Sequence, residues 1–224
     1  MMSLIISNTI VTSVFTGAIA TAYFICKIYN LPFYNSKTII EDLDKLKQNV
    51  IPIYFGANYM VLLTNLHLDN RCHSFIGSVL NIGMYVLFIE FLYYTYHRII
   101  HHPALYNMVH SFHHTKVLVY PIDALHFSVF DLSCYMACLH FPTYIMRLTM
   151  FEYIFVLFFY ITMGFFAHSK LAFQHHILHH QFFKCNYCLV FPIFDMAFNT
   201  FMNINFMDTN KFDDFMVNDV DDLS

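Results

Sequence analysis

Long apolar stretches separated by short polar segments dominate the chain. Residues 4–28 carry a single charged side chain, Lys27, and about 20 apolar residues are enough to cross a hydrocarbon layer of about 30 Å. A cleaved signal peptide would begin with basic residues and have a shorter apolar run, whereas residues 1–3 contain neither lysine nor arginine. The pattern therefore favours an N-terminal anchor helix.

Two further apolar regions each predict a helical hairpin. Residues 51–66 and 75–96 are apolar and joined by a short link, which is typical of two antiparallel helices. Residues 127–167 are mostly apolar over about twice the length of one membrane span, and Pro142 marks the expected turn. The sequence thus predicts an all-α integral membrane helical bundle of about four spans.

Polar segments lie between and after these regions. Residues 30–50 are polar, and the charge pattern of 41–47 predicts a short surface helix. The tail from Asp208 has six aspartates and one lysine, a composition that predicts a mobile, solvated end.

Composition narrows the class of protein. The chain is 58% hydrophobic and only 12% charged, with a mean hydropathy of +0.52, which is too apolar for an ordinary soluble domain. The net charge of −4 and the lack of a basic block argue against a nucleic-acid partner. Cys185 and Cys188 form a lone CxxC without the second pair of ligands that a zinc site needs, so they are expected to be packed or free thiols.

Histidines form three clusters at helical spacing. His97 and His101 are four residues apart, and residues 110–114 and 176–180 both read HxxHH. Side chains separated by three or four residues share one face of a helix, and neutral imidazole is the commonest protein ligand for transition metals. Together with the isolated His126 and His168, these histidines exceed the four ligands of one zinc ion, so the count predicts two metal ions.

The hairpins place these histidines on one membrane face. His97 follows the first hairpin, His126 precedes the second, and His168 follows its return. Nine of the eleven lysines and arginines lie on that side, leaving only Arg71 and Arg147 on the other. By the positive-inside rule, the histidine-rich cap is expected to face the cytosol.

Acidic residues near the clusters have two open interpretations. Glu90 lies seven residues before His97 inside an apolar span, where a carboxyl group needs a partner. It is expected either to accept a hydrogen bond from a ligand histidine or to bond to a hydroxyl group or another helix. Asp195 and Asp123 could support histidines in the same way, whereas Asp131, at the membrane edge, is expected to cap a helix or reach solvent. The remaining histidines, expected to be satisfied polar residues, are His67, His73 and His140.

The order HxxxH, HxxHH, HxxHH, with apolar hairpins between, resembles the fatty acid hydroxylase superfamily, which includes sterol C5-desaturase, C4-methylsterol oxidase and cholesterol 25-hydroxylase. Residues 96–103, 105–114 and 175–187 resemble its three histidine boxes, and residues 191–195 and 199–200 resemble the segment that follows. The chain departs from the usual pattern while keeping the histidine set whole: Phe127, Val129, Cys188, Phe194 and Asn199 stand where the family commonly has other residues.

The resemblance implies a di-iron oxygenase embedded in the membrane of the endoplasmic reticulum. Two non-haem iron ions would use O2 and electrons from NAD(P)H, delivered by cytochrome b5 or a similar carrier, to hydroxylate or desaturate a lipid C–H bond. His102 and His175 would then lie next to the ligands, as Glu90 and Asp195 could. The metal ligands that the resemblance implies are His97, His101, His110, His113, His114, His126, His168, His176, His179 and His180.

The expected organisation and substrate follow from the same resemblance. Residues 1–74 would hold the anchor, the linker and half of a hairpin, residues 75–207 the catalytic domain, and residues 208–224 the tail. A sterol substrate is favoured by the third box, with a fatty-acyl or sphingolipid substrate as the alternative. A metal-binding or metal-transporting membrane protein, or a membrane cytochrome holding haem, are alternatives of a different class.

Overall fold

The computed structural model describes residues 3–172 and 174–203, and within that part of the chain every regular element is helical. This confirms the all-α prediction. The α-helices are α1 (Leu4–Ile28), α2 (Ile39–Thr64), α3 (Phe75–Ile100), α4 (Pro103–Val109), α5 (Val129–His140), α6 (Met150–Ala167), α7 (His175–Phe182) and α8 (Ile193–Ala197). Short 3-10 helices occur at His113–Thr115, Pro121–Leu125 and Phe141–Tyr144.

Three of the described helices, α1, α3 and α6, are long and apolar enough to cross a membrane. The apolar part of α2, Ile51–Thr64, is shorter, and the prediction of about four spans agrees roughly with this set. The second hairpin turns near Pro142, as predicted. Its first helix, α5, has only 12 residues, or about 18 Å at 1.5 Å per residue, because it ends at His140 and the 3-10 turn that contains Pro142 follows.

Helix α2 joins two elements that the sequence predicts separately. The surface helix expected at 41–47 and the apolar segment from residue 51 form one continuous helix, with Pro52 in its interior. A proline removes one backbone hydrogen bond and commonly ends or bends a helix. Here the helix continues through Pro52 as one element.

Helix α1 packs against α6 through a stripe of mostly small side chains. Val14, Ala18, Ala22 and Cys26 are buried at intervals of four residues, and the last three belong to a cluster with aromatic side chains of α6. Small residues let membrane helices approach closely, so that dispersion contacts hold them together.

The two ends of the bundle differ in chemistry. At one end the α2–α3 link is fastened to the start of α6: His73 Nδ1 lies 2.9 Å from Glu152 Oε1, and Asp69 N donates to Leu148 O at 2.8 Å. The last turns of α3 and α6 reach the other end, where α7 packs and the histidine clusters meet. The predicted acidic tail, 208–224, lies outside the described residues.

The stripe on α1 predicts an asymmetric response to added volume. Ala22 is fully buried whereas Ala20, on the same helix, is exposed. Ala22→Leu should overfill the α1–α6 contact and cost about 1–3 kcal/mol, seen as a lower apparent melting temperature of the detergent-solubilised protein. Ala20→Leu is the matched control and should leave that temperature unchanged; equal effects of the two substitutions would contradict this packing.

Candidate metal centre

Nine buried or partly buried histidines form two adjoining sets. In each set, one ligand nitrogen from every histidine lies within 4.8 Å of all the others. We call them the five-histidine set and the four-histidine set. The five-histidine set is His97, His101, His110, His114 and His179, and the four-histidine set is His113, His168, His176 and His180.

The HxxHH spacing serves both sets at once. On α7, His176 and His180 point to the four-histidine set, and His179 points to the five-histidine set. The adjacent pair His113 and His114 divides in the same way. Neighbouring residues of a helical turn project in different directions, so each HH pair places one imidazole in each set and keeps the two sets next to each other.

Backbone carbonyl groups orient four of these rings through Nδ1. A carbonyl oxygen only accepts hydrogen bonds, so each of the four Nδ1 atoms must carry the proton, and each Nε2 is left with a lone pair when the ring is neutral. The bonds run from His97 to Tyr187 O at 2.7 Å, from His113 to His126 O at 3.1 Å, from His168 to Gly164 O at 2.8 Å and from His179 to Cys185 O at 2.6 Å.

A fifth ring, that of His110, is oriented by a carboxylate. Its Nδ1 lies 2.6 Å from Asp131 Oδ2, and both side chains are buried. Ser128 caps α5 by accepting from the backbone N–H of Asp131 at 3.1 Å, which fixes Asp131 in the first turn at the histidine end. The expectation that Asp131 only caps a helix or reaches solvent was wrong. Its position in the sequence gives no signal of this role, because an acid in the first turn of a helix usually stabilises that helix.

Pairs of Nε2 atoms face one another at distances that fit a shared cation. His97 Nε2 and His110 Nε2 are 3.0 Å apart, and both rings direct an Nδ1–H to an acceptor, so two lone pairs point at each other. Two nitrogens held at right angles by metal bonds of about 2.1 Å would also be about 3.0 Å apart. The other such pairs are His114–His179 at 3.1 Å and His168–His180 at 3.2 Å.

Several ring nitrogens are buried with no hydrogen-bond partner among the described residues. They include His101 Nε2, His113 Nε2 and both nitrogens of His176. A buried polar atom left unsatisfied costs about 1–3 kcal/mol, so their number favours a bound ligand. All the donors are imidazole nitrogens, a set that suits zinc, copper, iron or nickel. The residues present therefore fit one transition-metal ion in each set.

Burial keeps these histidines neutral and able to bind a metal. It lowers the pKa of His101 and that of His168 to about 4. Burial, and then repulsion from neighbouring imidazoles, lowers the pKa of His114 and that of His180 as well. Neutral imidazole is the form that coordinates metal ions.

Three other predicted histidines lie beside the sets. The imidazole of His126 stacks on Phe112 with ring centroids 4.1 Å apart, and its Nε2 is 3.2 Å from Thr115 Oγ1. His126 belongs to neither set, although its carbonyl orients His113. His102 caps α4, its Nδ1 accepting from Ala104 N at 3.3 Å. His175 begins α7, next to His176.

The two predicted acids support the loop that carries the carbonyls. Asp195 accepts hydrogen bonds from the N–H groups of Tyr187 and Cys188 at 2.7 and 2.8 Å. Glu90 accepts from Tyr160 OH at 2.5 Å and from Val190 N at 3.0 Å. The structure thus shows Glu90 bonded to a hydroxyl group of another helix and to the loop after α7, the second of its two expected roles.

The remaining predictions concern side chains outside the sets. Cys185 and Cys188 are buried free thiols, and the backbone carbonyl of Cys185 accepts from His179. Asp123 bonds to Lys116 Nζ at 2.6 Å and caps the 3-10 helix that begins at Pro121. His140 belongs to neither set, and its Nδ1 lies 2.8 Å from Tyr153 OH.

Comparison with known proteins identifies a family and a group of relatives. The family model for fatty acid hydroxylase matches residues 82–200, which contain both histidine sets. Very-long-chain aldehyde decarbonylase GL1-5 of Oryza sativa subsp. indica is 29% identical over 180 residues, which cover 70% of this chain and 28% of the relative. Very-long-chain aldehyde decarbonylase CER1 of Arabidopsis thaliana is 26% identical over 180 residues, with the same coverage of 70% and 28%.

A third relative, very-long-chain aldehyde decarbonylase GL1-7 of Oryza sativa subsp. japonica, is 29% identical over 153 residues, which cover 55% of this chain and 23% of the relative. The match to the curated relatives thus spans less than a third of their length. No solved structure gives a significant match.

The bond between Asp131 and His110 predicts selective loss of metal. Asp131→Asn removes the negative charge that makes His110 a stronger ligand, and such changes weaken metal binding by about 10- to 100-fold. Under increasing chelator, the variant should lose metal from the five-histidine set first, measured as metal per chain. Asp123→Asn, which changes a carboxyl group that bonds to Lys116 Nζ and the N–H of Tyr120, is the control; identical chelator curves would contradict the role of Asp131.

Burial of neutral histidines also predicts a pH dependence. In the metal-free folded protein, His101 and His168 have a pKa of about 4, whereas in the unfolded chain they take up protons below about pH 6.5. Unfolding therefore binds protons between about pH 6.5 and pH 4, so the free energy of unfolding falls as the pH drops through this range.

The measurement is the apparent melting temperature of chelator-treated protein, which should fall from pH 7 to pH 5. The bond to Glu152 raises the pKa of His73, so His73 contributes stability at low pH that partly offsets this fall. His73→Gln should accordingly steepen the fall, and a melting temperature independent of pH in both proteins would contradict buried, neutral histidine sets.

Proposed function

Because the chain belongs to the fatty acid hydroxylase family, we propose that it is an iron-dependent membrane enzyme that hydroxylates or desaturates a C–H bond of a lipid. The observation that carries this proposal is the pair of adjoining, all-imidazole sets at the end of an apolar bundle. The chemistry that two non-haem iron ions supply when bound is the use of O2 to attack an unactivated C–H bond.

The role of the protein is to hold and orient the ligands. His97 and His179 would hold one iron together with the rest of the five-histidine set, and their Nδ1 bonds to backbone carbonyls keep both Nε2 atoms turned inward. The four-histidine set would hold the other iron. His126, predicted as a ligand by resemblance, is left out of this proposal, since it orients His113 through its carbonyl instead.

Aromatic side chains shield the sets from water. Phe127 stacks on His113 with ring centroids 4.7 Å apart and planes only 2° from parallel. The ring centroids of Phe183 and His114 are 4.8 Å apart. Exclusion of water from the site strengthens electrostatic interactions within it and suppresses side reactions.

An apolar crevice supports a lipid substrate. It runs between α1, α2, α5 and α6 and is lined at one end by His168 of the four-histidine set and by Phe127. A lipid chain in this crevice would bring a carbon next to that set without crossing water.

A fatty-acyl type of chain is the substrate class that we favour. The third histidine box resembles those of sterol enzymes, but the curated relatives are named for very-long-chain aldehydes. The free volume of the crevice is small, about 70 Å³. By the same measure, one water molecule needs about 10–15 Å³. A slender chain fits such a space better than fused sterol rings.

We place the enzyme in the endoplasmic reticulum with its histidine-rich end in the cytosol. The excess of lysine and arginine on that side supports the orientation. A cytosolic cap would be within reach of a cytochrome b5-type carrier, which would pass on electrons from NAD(P)H.

A metal transporter or a haem protein would be built differently. A transporter needs polar ligands along the path through the spans, whereas the crevice between the helices is lined by apolar residues except at four positions. A haem needs far fewer histidines than these two sets contain. Elemental analysis and an absorption spectrum of the purified protein separate the three: two irons without haem, zinc, or a haem band.

Lipid profiling tests the activity. Cells expressing the protein should accumulate an oxidised lipid, and His113→Ala and His114→Ala, which remove one ligand from each set, should each abolish it at equal protein level. His67→Ala is a matched control because the ring of His67 contacts that of Tyr144, away from the clusters. A profile that is the same for the wild type and both ligand variants, in a host that supplies iron and electrons, would refute the proposed reaction.

A further inference from the structure

The far end of the apolar crevice carries one buried polar group that the proposed reaction does not use. Four of the crevice-lining side chains have polar nitrogen or oxygen atoms: Tyr93, Tyr135, His140 and His168. His168 belongs to the four-histidine set. His140, at the last residue of α5, lies at the opposite end of the bundle and is fully buried.

The two nitrogens of His140 are in different situations. Nδ1 lies 2.8 Å from Tyr153 OH and 3.3 Å from Thr64 Oγ1, so the ring is held by helices α6 and α2. Nε2 is buried and has no hydrogen-bond partner among the described residues. An unsatisfied buried nitrogen is costly, and an apolar cavity does not hold water well enough to satisfy it. A ligand in the crevice with a hydrogen-bonding end group would remove that cost.

The length and width of the crevice define the ligand. From Tyr153, which holds His140, to His168 is 15 residues of nearly continuous helix, or about 22 Å. An extended chain advances about 1.2 Å per bond, so this distance corresponds to roughly 18 bonds. The free volume of the crevice is small, about 70 Å³, which suits a slender chain.

We propose that the crevice binds an unbranched alkyl chain whose hydroxyl or carbonyl end group hydrogen-bonds to His140 Nε2, while a carbon far along the chain lies beside the four-histidine set. His140 thereby selects lipids with a compact polar end and sets which carbon reaches the metals. The inference rests on the proposed function in one respect only: it takes the end of the crevice beside the four-histidine set as the end where the lipid reacts.

Competition for a photoreactive ligand tests this site without turnover. The full chain, purified with its metals into lipid nanodiscs and kept without reductant, is labelled by 1-hexadecanol that carries a mid-chain diazirine. Labelled peptides are mapped, and unlabelled 1-hexadecanol, hexadecane and cholesterol are compared as competitors at equal mole fractions in the disc.

For the wild type we expect labels on residues that line the crevice, and about tenfold stronger competition by 1-hexadecanol than by hexadecane, equivalent to about 1.4 kcal/mol. His140→Phe keeps a ring without nitrogen and should abolish that preference, whereas His140→Gln should keep most of it. His67→Leu is the matched control for loss of a histidine at the same end and should behave as the wild type.

Three results would overturn the proposal. They are equal competition by 1-hexadecanol and hexadecane in the wild type, a preference that survives His140→Phe, or cholesterol competing better than 1-hexadecanol. Equal competition by 1-hexadecanol and hexadecane in the wild type would refute the proposal even if His140→Phe does not fold. Because labelling needs no oxidation, a protein with two irons and normal lipid oxidation but no such preference would refute this inference alone, and the reverse result would refute only the proposed reaction.

Discussion

Repulsion between inward-facing lone pairs is the constraint on which this structure depends. His97 and His110 each direct Nδ1–H to an acceptor, so their Nε2 lone pairs meet at 3.0 Å with no proton between them. Protonating either ring would place a charge in a buried site, which is costly. A cation between the nitrogens turns the repulsion into coordination and satisfies the remaining ring nitrogens, such as those of His176. A buried, all-imidazole arrangement of this kind is stable when metal binding and folding are coupled.

The rest of the bundle delivers the histidines to that point and keeps their rings turned. Helices α3 and α6 bring His97 and His168 to the same end, and α7 closes the two sets. The loop after α7 supplies carbonyl groups to His97 and His179. Buried carboxyl groups of Asp195 and Glu90 fasten this loop through its backbone N–H groups. These two acids therefore help to hold the carbonyl groups that orient His97 and His179.

Sequence alone predicts the helical fold and nearly all of the candidate ligands, because helical spacing brings histidines three or four residues apart into one turn. It does not predict how each HH pair divides between two sets, since that depends on how α7 packs on α6 and meets His97 at the end of α3. The role of Asp131 was missed because a first-turn acid usually serves its own helix, and only the tertiary contact places it on His110. Hydrogen bonds to backbone carbonyl groups, such as that of Tyr187, cannot be predicted from residue type. His126, which matches the family pattern, lies outside both sets, and its carbonyl orients His113.

X-ray absorption spectroscopy of the purified protein tests the central claim most directly, because it reports the donor atoms around a bound metal. The account predicts two iron ions per chain, each surrounded by four to five nitrogen atoms at about 2.1 Å, with the outer-shell scattering that imidazole rings produce. Sulfur ligands, the spectrum of haem, or a metal surrounded only by oxygen would contradict it, because none of these can arise from the two histidine sets.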